Sequence, residues 1–314
     1  MDPVCHTLVG ASLGATGLER RTRFGRSTLI IAANLPDVDF VFYFVDNASA
    51  YAFRRGITHG LPAILVLPVL LALLMAALDR LFTRKGKGPD ASLRWLVILS
   101  LIGVASHPSL DWLNNYGMRW LMPFSERWFY GDTLFIVDPV VWLTLIAGIW
   151  FARRSGFDLV AWYRRPASIS LAVFVGYILV SLSLTQVAEN AALAAVSANP
   201  PRRIMASPVP ANPLRRDIIF DYGEEYRFGR VVFAPGPRLV LEDDVVATGP
   251  PELFERVRDT RDGGWFLQWS RFPFVVLNNS GEGLVATVAD ARYVRDLDAE
   301  RLREFGAVVV TIED

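Results

Sequence analysis

Apolar runs long enough to cross a bilayer dominate the first 190 residues of the chain. A membrane helix needs about 20 mostly apolar residues. Residues 61–78, 95–110 and 167–188 carry no charge, and residues 133–152 carry only Asp138. Residues 27–45 are apolar apart from Asn34, Asp37 and Asp39. Residues 3–18 are rich in small side chains and short for a span. They lack the basic start and cleavage motif of a signal peptide, so they read as a short or tilted helix that is kept. The pattern predicts an α-helical membrane bundle of about six segments over residues 1–190.

The last third is a different material. Prolines 200, 201, 208, 210 and 213 mark residues 191–213 as a linker. Short alternating runs follow at 217–220, 230–234, 238–241, 265–269, 274–277, 284–288 and 307–312, separated by Gly, Pro and Asn. Runs of this kind predict a small, mostly antiparallel β-rich extramembrane domain over residues 214–314.

Charge adds an orientation. The 314 residues are 52% hydrophobic and 20% charged, below the ~25% charge of ordinary soluble chains. Arg20, Arg21, Arg23 and Arg26 form one basic cluster. Arg80, Arg84, Lys85, Lys87 and Arg94 form a second, and Arg153, Arg154, Arg164 and Arg165 a third. Basic loops stay in the cytoplasm, which predicts a multi-pass inner-membrane protein with its C-terminal domain on the outer, periplasmic side. This scheme puts Arg54 and Arg55 in an outer loop. Trp95, Trp112, Trp128 and Trp150 fall near expected helix ends, as interfacial anchors do. Net charge is +5 over residues 1–187 and −5 over 188–314, matching a membrane part with basic loops and an acidic water-facing part. The overall balance is zero and no DNA-binding signature is present, so nucleic acid is not an expected partner. The lone Cys5 rules out an internal disulfide framework and a cysteine-based zinc site.

The candidate chemistry lies in the membrane half. All three histidines, His6, His59 and His107, are in or beside apolar segments, as are Asp37, Asp39, Asp111 and Asp138. An ionisable side chain at membrane depth costs at least ~2.5–3.5 kcal/mol, so it persists where it has a partner or a function. A divalent cation is one such partner for carboxylates and neutral imidazoles. His107 and Asp111 are four residues apart, on one helix face. Pro36 frees backbone beside Asp37 and Asp39. In the orientation above, His6, Asp37, Asp39, His59, His107 and Asp111 all fall in one outer layer. Asp39 is open between binding a metal and orienting a ligand. Asp138, beside Pro139, is open between capping a helix and supporting the site.

These residues sit in ordered motifs: His6, Asn34-Leu35-Pro36-Asp37-Val38-Asp39, Arg55-Gly56-Ile57-Thr58-His59-Gly60 and His107-Pro108-Ser109-Leu110-Asp111. Asn115-Tyr116-Gly117, Pro123-Phe124-Ser125 and Ile136-Val137-Asp138-Pro139 follow. The series resembles membrane-bound metal-dependent hydrolases of the YdjM type over roughly residues 1–190. Asn212-Pro213-Leu214-Arg215-Arg216 and Asp290-Ala291-Arg292-Tyr293 resemble the long members of that family. The ligand order is also similar to part of the zinc-dependent phospholipase C and P1 nuclease pattern. That resemblance implies one zinc on Asp37, His59, His107 and Asp111, with Asp111 bridging to a second ion on His6. With three histidines in the chain, the full three-metal site of those enzymes cannot be built, so one or two ions are implied.

The leading expectation is metal-assisted hydrolysis of an ester, foremost a phosphoester of a lipid or other membrane-associated substrate. Asp37 or Asp39 would take the proton from the attacking water. Arg54 and Arg55 either receive phosphate or form a plain charged loop. The alternative is a non-enzymatic membrane protein that binds metal structurally and docks or senses through its β domain. Cation transport is a third reading, and it predicts carboxylates spread along the span. The oligomeric state is left open by the sequence.

Overall fold

The computed structural model describes residues 1–82, 91–154, 165–280, 283–295 and 306–312. The basic residues Arg84, Lys85, Lys87 and Arg164 lie outside that set. The chain divides into two compact units, Met1–Asp39 with Arg55–Leu182, and Phe40–Arg54 with Ser183–Asp314.

The first unit is helical. Its helices are α1 (Pro3–Ala15), α2 (Gly25–Asn34), α4 (Leu61–Phe82), α5 (Leu93–Trp112), α6 (Pro139–Arg154) and the first part of α7 (Pro166–Ala195). Among the described residues, four helical stretches are long and apolar enough to cross a membrane: Gly25–Phe44, Leu61–Phe82, Leu93–Trp112 and Pro166–Ala195. The other two expected segments are α1, with 13 residues, and α6, with 16. α6 starts late because Asp138 caps it, accepting from the backbone N–H groups of Val140 (2.9 Å) and Val141 (3.3 Å). The carboxylate also accepts from Tyr177 Oη at 2.8 Å. On α4, Leu65, Val66, Val69, Leu70, Leu73 and Leu74 are exposed, and on α7 so are Val173, Val175, Leu179 and Val180. Apolar faces this continuous belong in lipid.

Small residues set how closely α1, α2 and α5 approach. A Cβ on Gly103 of α5 would lie 2.5 Å from Ala32 Cβ, and one on Gly10 of α1 would lie 2.8 Å from Leu29 O. Membrane helices pack in this way because lipid gives little hydrophobic drive for association and close backbone contact replaces it. The expected span 27–45 is a composite, α-helical to Asn34 and then 3-10 over Leu35–Phe44. The change falls at Pro36, which has no N–H to continue the α ladder.

The second unit holds two antiparallel sheets. One has the order β1-β2-β3-β4, made of Arg203–Val209, Asn212–Asp221, Glu225–Val232 and Arg238–Ala247. The other is β5-β6-β7, made of Pro273–Ser280, Gly283–Asp290 and Ala307–Thr311. Met205, Ile219, Tyr226, Phe228, Phe272 and Phe274 form a buried core. Residues 191–213, read as a linker, contain the end of α7 and all of β1. Residues 265–269, expected as a strand, lie in helix α9 (Arg261–Trp269), which follows α8 (Pro251–Asp259). Thr260 caps α9 through a bond from Gly263 N, and Phe266 and Trp269 recur at helical spacing. Residues 40–54, expected as membrane helix and outer loop, belong to this unit. Their helix α3 (Asn47–Phe53) carries Tyr51, whose ring lies 5.3 Å from Phe266 and 5.2 Å from Trp269.

The C-terminal motifs have structural roles within this unit. Arg216 is buried and donates to Thr185 Oγ1 (3.1 Å), Pro213 O (3.0 Å) and Arg215 O (2.9 Å). Asp290 is buried and accepts from Ser270 Oγ (2.6 Å), Arg271 N (2.7 Å) and the Arg292 guanidinium (2.8 Å). Burial alone would raise the Asp290 carboxyl pKa. The adjacent Arg292 charge and these hydrogen bonds outweigh burial and hold it below the usual carboxylate range.

Candidate metal centre

Three elements and one turn bring the site together, all within the first unit. α5 supplies His107 and Asp111, the 3-10 stretch after α2 supplies Asp37 and Asp39, the turn before α4 supplies His59, and α1 supplies His6. His6, His59, His107, Asp111 and Asp39 are all buried, and Asp37 is 15% exposed. α5 runs through Pro108 to Trp112, so that proline does not displace His107 from the face it shares with Asp111.

Asp37, His59, His107 and Asp111 each offer an atom within 4.8 Å of the others, a group that could hold a metal ion. His59 Nε2 and His107 Nε2 are 3.1 Å apart. Asp111 Oδ2 is 3.5 Å from each of them. Asp37 Oδ1 is 3.8 Å from His59 Nε2 and 3.7 Å from His107 Nε2. Zinc-to-ligand bonds of ~2.0–2.1 Å in a tetrahedron give ligand–ligand edges of about 3.3–3.4 Å. The measured edges bracket that value.

The far sides of the two rings decide what the near sides can do. His107 Nδ1 lies 2.7 Å from Ala33 O, and a carbonyl only accepts, so Nδ1 carries the hydrogen. His59 Nδ1 lies 3.2 Å from the Asp39 carboxylate and 3.0 Å from Thr58 Oγ1, which favours a hydrogen there too. When both rings are neutral, each aims its Nε2 lone pair at the same point. Two lone pairs 3.1 Å apart repel unless a cation lies between them. With two carboxylates on the same spot, the donor set fits a divalent metal.

Asp39 does not face this point in the same way. Its Oδ2 accepts from Arg55 N (2.8 Å) and Thr58 Oγ1 (3.0 Å) besides approaching His59 Nδ1. His6 reaches the group through Asp111: its ring stacks on His107 at 3.7 Å, and its Nε2 lies 3.2 Å from Asp111 Oδ1. The Met1 amino group also contacts Asp111 Oδ1.

Arg55 is the functional neighbour that sequence reasoning misread. Expected in an outer loop, it is buried, with Nε 2.9 Å from Asp111 Oδ2 and Nη1 3.0 Å from both Asn114 Oδ1 and Gly117 O. Its guanidinium lies over the Tyr116 ring at 4.6 Å. Asn114 Oδ1 also accepts from Tyr116 N at 2.8 Å. The available signal was adjacency: Arg55 opens the motif that contains His59, and Asn115-Tyr116-Gly117 was already a motif of its own. Arg54, its neighbour, faces Phe40 and Tyr43 inside the second unit.

The YdjM inner membrane protein family matches residues 1–189, the part of the chain that contains every residue of this site. The uncharacterized protein YfhP of Bacillus subtilis (strain 168) is 28% identical over 193 residues, covering 58% of this chain and 54% of the relative. The chain thus spans about half the length of that curated relative. No solved structure matches. The ordered motifs and the family match coincide over the helical unit: the chain belongs to the YdjM inner membrane protein family.

Proposed function

We propose that the chain is a membrane metal-dependent hydrolase that cuts an ester, foremost a phosphoester of a lipid or small membrane-associated substrate. The observation that carries this reading is the convergence of two imidazole lone pairs and two carboxylates within 4.8 Å, at membrane helices. Zinc is the metal we favour, because two nitrogen and two oxygen donors at these spacings suit it. A divalent ion there would supply Lewis acidity, polarising the ester and making water a stronger acid.

The chain's own groups divide the remaining work. Asp37 is the most exposed member of the group, so it is the carboxylate that an incoming water reaches and the proton acceptor we assign. Asp39 holds the Nδ1–H of His59 and so aims Nε2. Arg55 fixes Asp111 in place. His6, against Asp111 Oδ1, is the ligand we assign to a second ion. The arginine clusters put the C-terminal unit on the periplasmic side in this reading. Membrane lipid is the expected surroundings and source of substrate.

Metal content of the purified full chain tests the reading. The expected outcome is about one bound ion or more per chain, lost in both His107→Ala and Asp111→Ala, and hydrolysis of some member of a phospholipid and phosphoester panel that disappears with the metal. Unchanged stoichiometry in both variants overturns the ligand assignment. A second reading, structural metal binding without catalysis, draws on one feature: four donors at tetrahedral spacing can close the coordination shell. It predicts tight metal and no hydrolysis across the panel.

A further inference from the structure

A cavity of about 460 Å³ in the helical unit lies away from the metal centre, lined by Thr16, Gly17, Leu18, Arg20, Arg21 and Arg165. Thr16 is ten residues beyond His6, so it is about 15 Å further along the axis of α1. Three arginines line this cavity, and among the described residues its lining holds no acidic side chain. Clustered cations raise one another's energy, and an anion between them removes that cost. The cavity that Arg202, Arg203 and Arg258 line in the second unit differs, since Asp221 and Glu255 line it too.

Arg165 and Arg21 show how these side chains are fixed. Arg165 Nη1 donates to Thr16 O at 2.5 Å, closing the end of α1. Its guanidinium packs directly on Gly17, whose φ of +109° and missing side chain permit that approach. Arg21 lies over the Trp95 ring at 5.1 Å, a tryptophan at the start of membrane helix α5. Cations fixed in this way meet an anion with little further ordering cost.

An apolar strip leads away from the cavity. Ile169 and Val173, one and two turns beyond Arg165 on α7, are exposed on a helix apolar enough to cross a bilayer. Charge at the helix end with an apolar flank beside it is the profile of an anionic amphiphile, headgroup in the cavity and chains along α7. We propose that this cavity binds the phosphate headgroup of an anionic phospholipid, at a site separate from the metal centre.

The test is native mass spectrometry of the full chain released from mixed micelles, with phosphatidylglycerol, phosphatidylcholine or inorganic phosphate as probe. Phosphatidylglycerol is expected to stay bound while phosphatidylcholine is lost. Because Arg165 also holds Thr16, the Arg20→Gln/Arg21→Gln double variant is the cleaner probe, and it should weaken retention roughly tenfold or more. Arg153→Gln, a basic residue that does not line the cavity, should leave retention unchanged. Equal retention of phosphatidylcholine, no effect of the double variant, or an equal loss in Arg153→Gln overturns the proposal. Inorganic phosphate that binds with the same arginine dependence and displaces the lipid also overturns it, in favour of a soluble phosphate.

Discussion

At the scale of single residues, the centre is governed by groups that do not face the metal position. Asp39 holds the Nδ1 side of His59 and so decides which nitrogen is free. Asp39→Asn keeps the shape, removes the charge and lets the amide present a donor to Nδ1. Outer partners of this kind typically change metal affinity by about 10–100-fold, and a loss of that size is expected here, with the number of ions at saturation unchanged. Competition with a coloured chelator measures it, and unaltered affinity would remove Asp39 from the orienting role. The residues of the group were legible in the sequence because ionisable side chains stand out in apolar segments. Arg55 was not legible, because an arginine beside another arginine near a helix end reads as a solvated loop. What buries it is a set of tertiary acceptors, Asp111, Asn114 and Gly117, from the end of α5 and beyond.

At the scale of elements, the site depends on the distance between α2 and α5. Ala33 at the end of α2 accepts from His107 of α5, so a change in that distance moves a ligand. Gly103→Val would press a side chain into Ala32 and force the helices apart. Overpacking of this kind costs roughly 1–3 kcal/mol, and weaker metal binding should accompany the loss of stability. Gly176→Ala in α7, where an added Cβ meets nothing within 4 Å, should be neutral or mildly stabilising, by about 0.5–1 kcal/mol. Thermal unfolding in detergent with and without chelator checks both. If Gly103→Val lowers stability yet binds metal normally, the centre tolerates a shift of α2 and the coupling is wrong. Hydrophobic runs revealed α4, α5 and α7 because lipid-facing helices are apolar over most of their surface. They did not reveal the 3-10 continuation of α2, since apolar content is blind to the hydrogen-bond ladder. Nor did they show that residues 40–54 pack as part of the second unit: Tyr51 and its partners Phe266 and Trp269 are more than 200 positions apart in the chain.

At the scale of the whole molecule, the chain joins a helical unit with apolar lipid-facing surfaces to one whose sheets share an apolar core and hold a buried ion pair, Asp290 with Arg292. The change of material near residue 190 was plain from composition, while the mixture of sheet and helix beyond it was not, because α9 is nine residues with only a short apolar pattern. That pair makes the stability of the second unit sensitive to acid. Burial disfavours the Asp290 carboxylate, but Arg292 and the bonds from Ser270 and Arg271 favour it more, so its folded pKa lies below the unfolded value near ~3.9. A depressed carboxyl pKa contributes stability that is fully present above the unfolded value and is lost as pH falls through the folded one. Asp290→Asn removes one partner of a buried pair, which typically costs about 3–5 kcal/mol. At pH 7 the melting transition of the second unit, followed by near-UV circular dichroism on the full chain, should therefore move sharply down. Between pH 4 and the folded pKa the wild-type chain should lose part of this advantage while the variant changes less, so the gap between the two curves narrows. A gap that stays constant as the solution is acidified would mean that the charge on Asp290 does not stabilise the unit, and that the pair is held by shape alone.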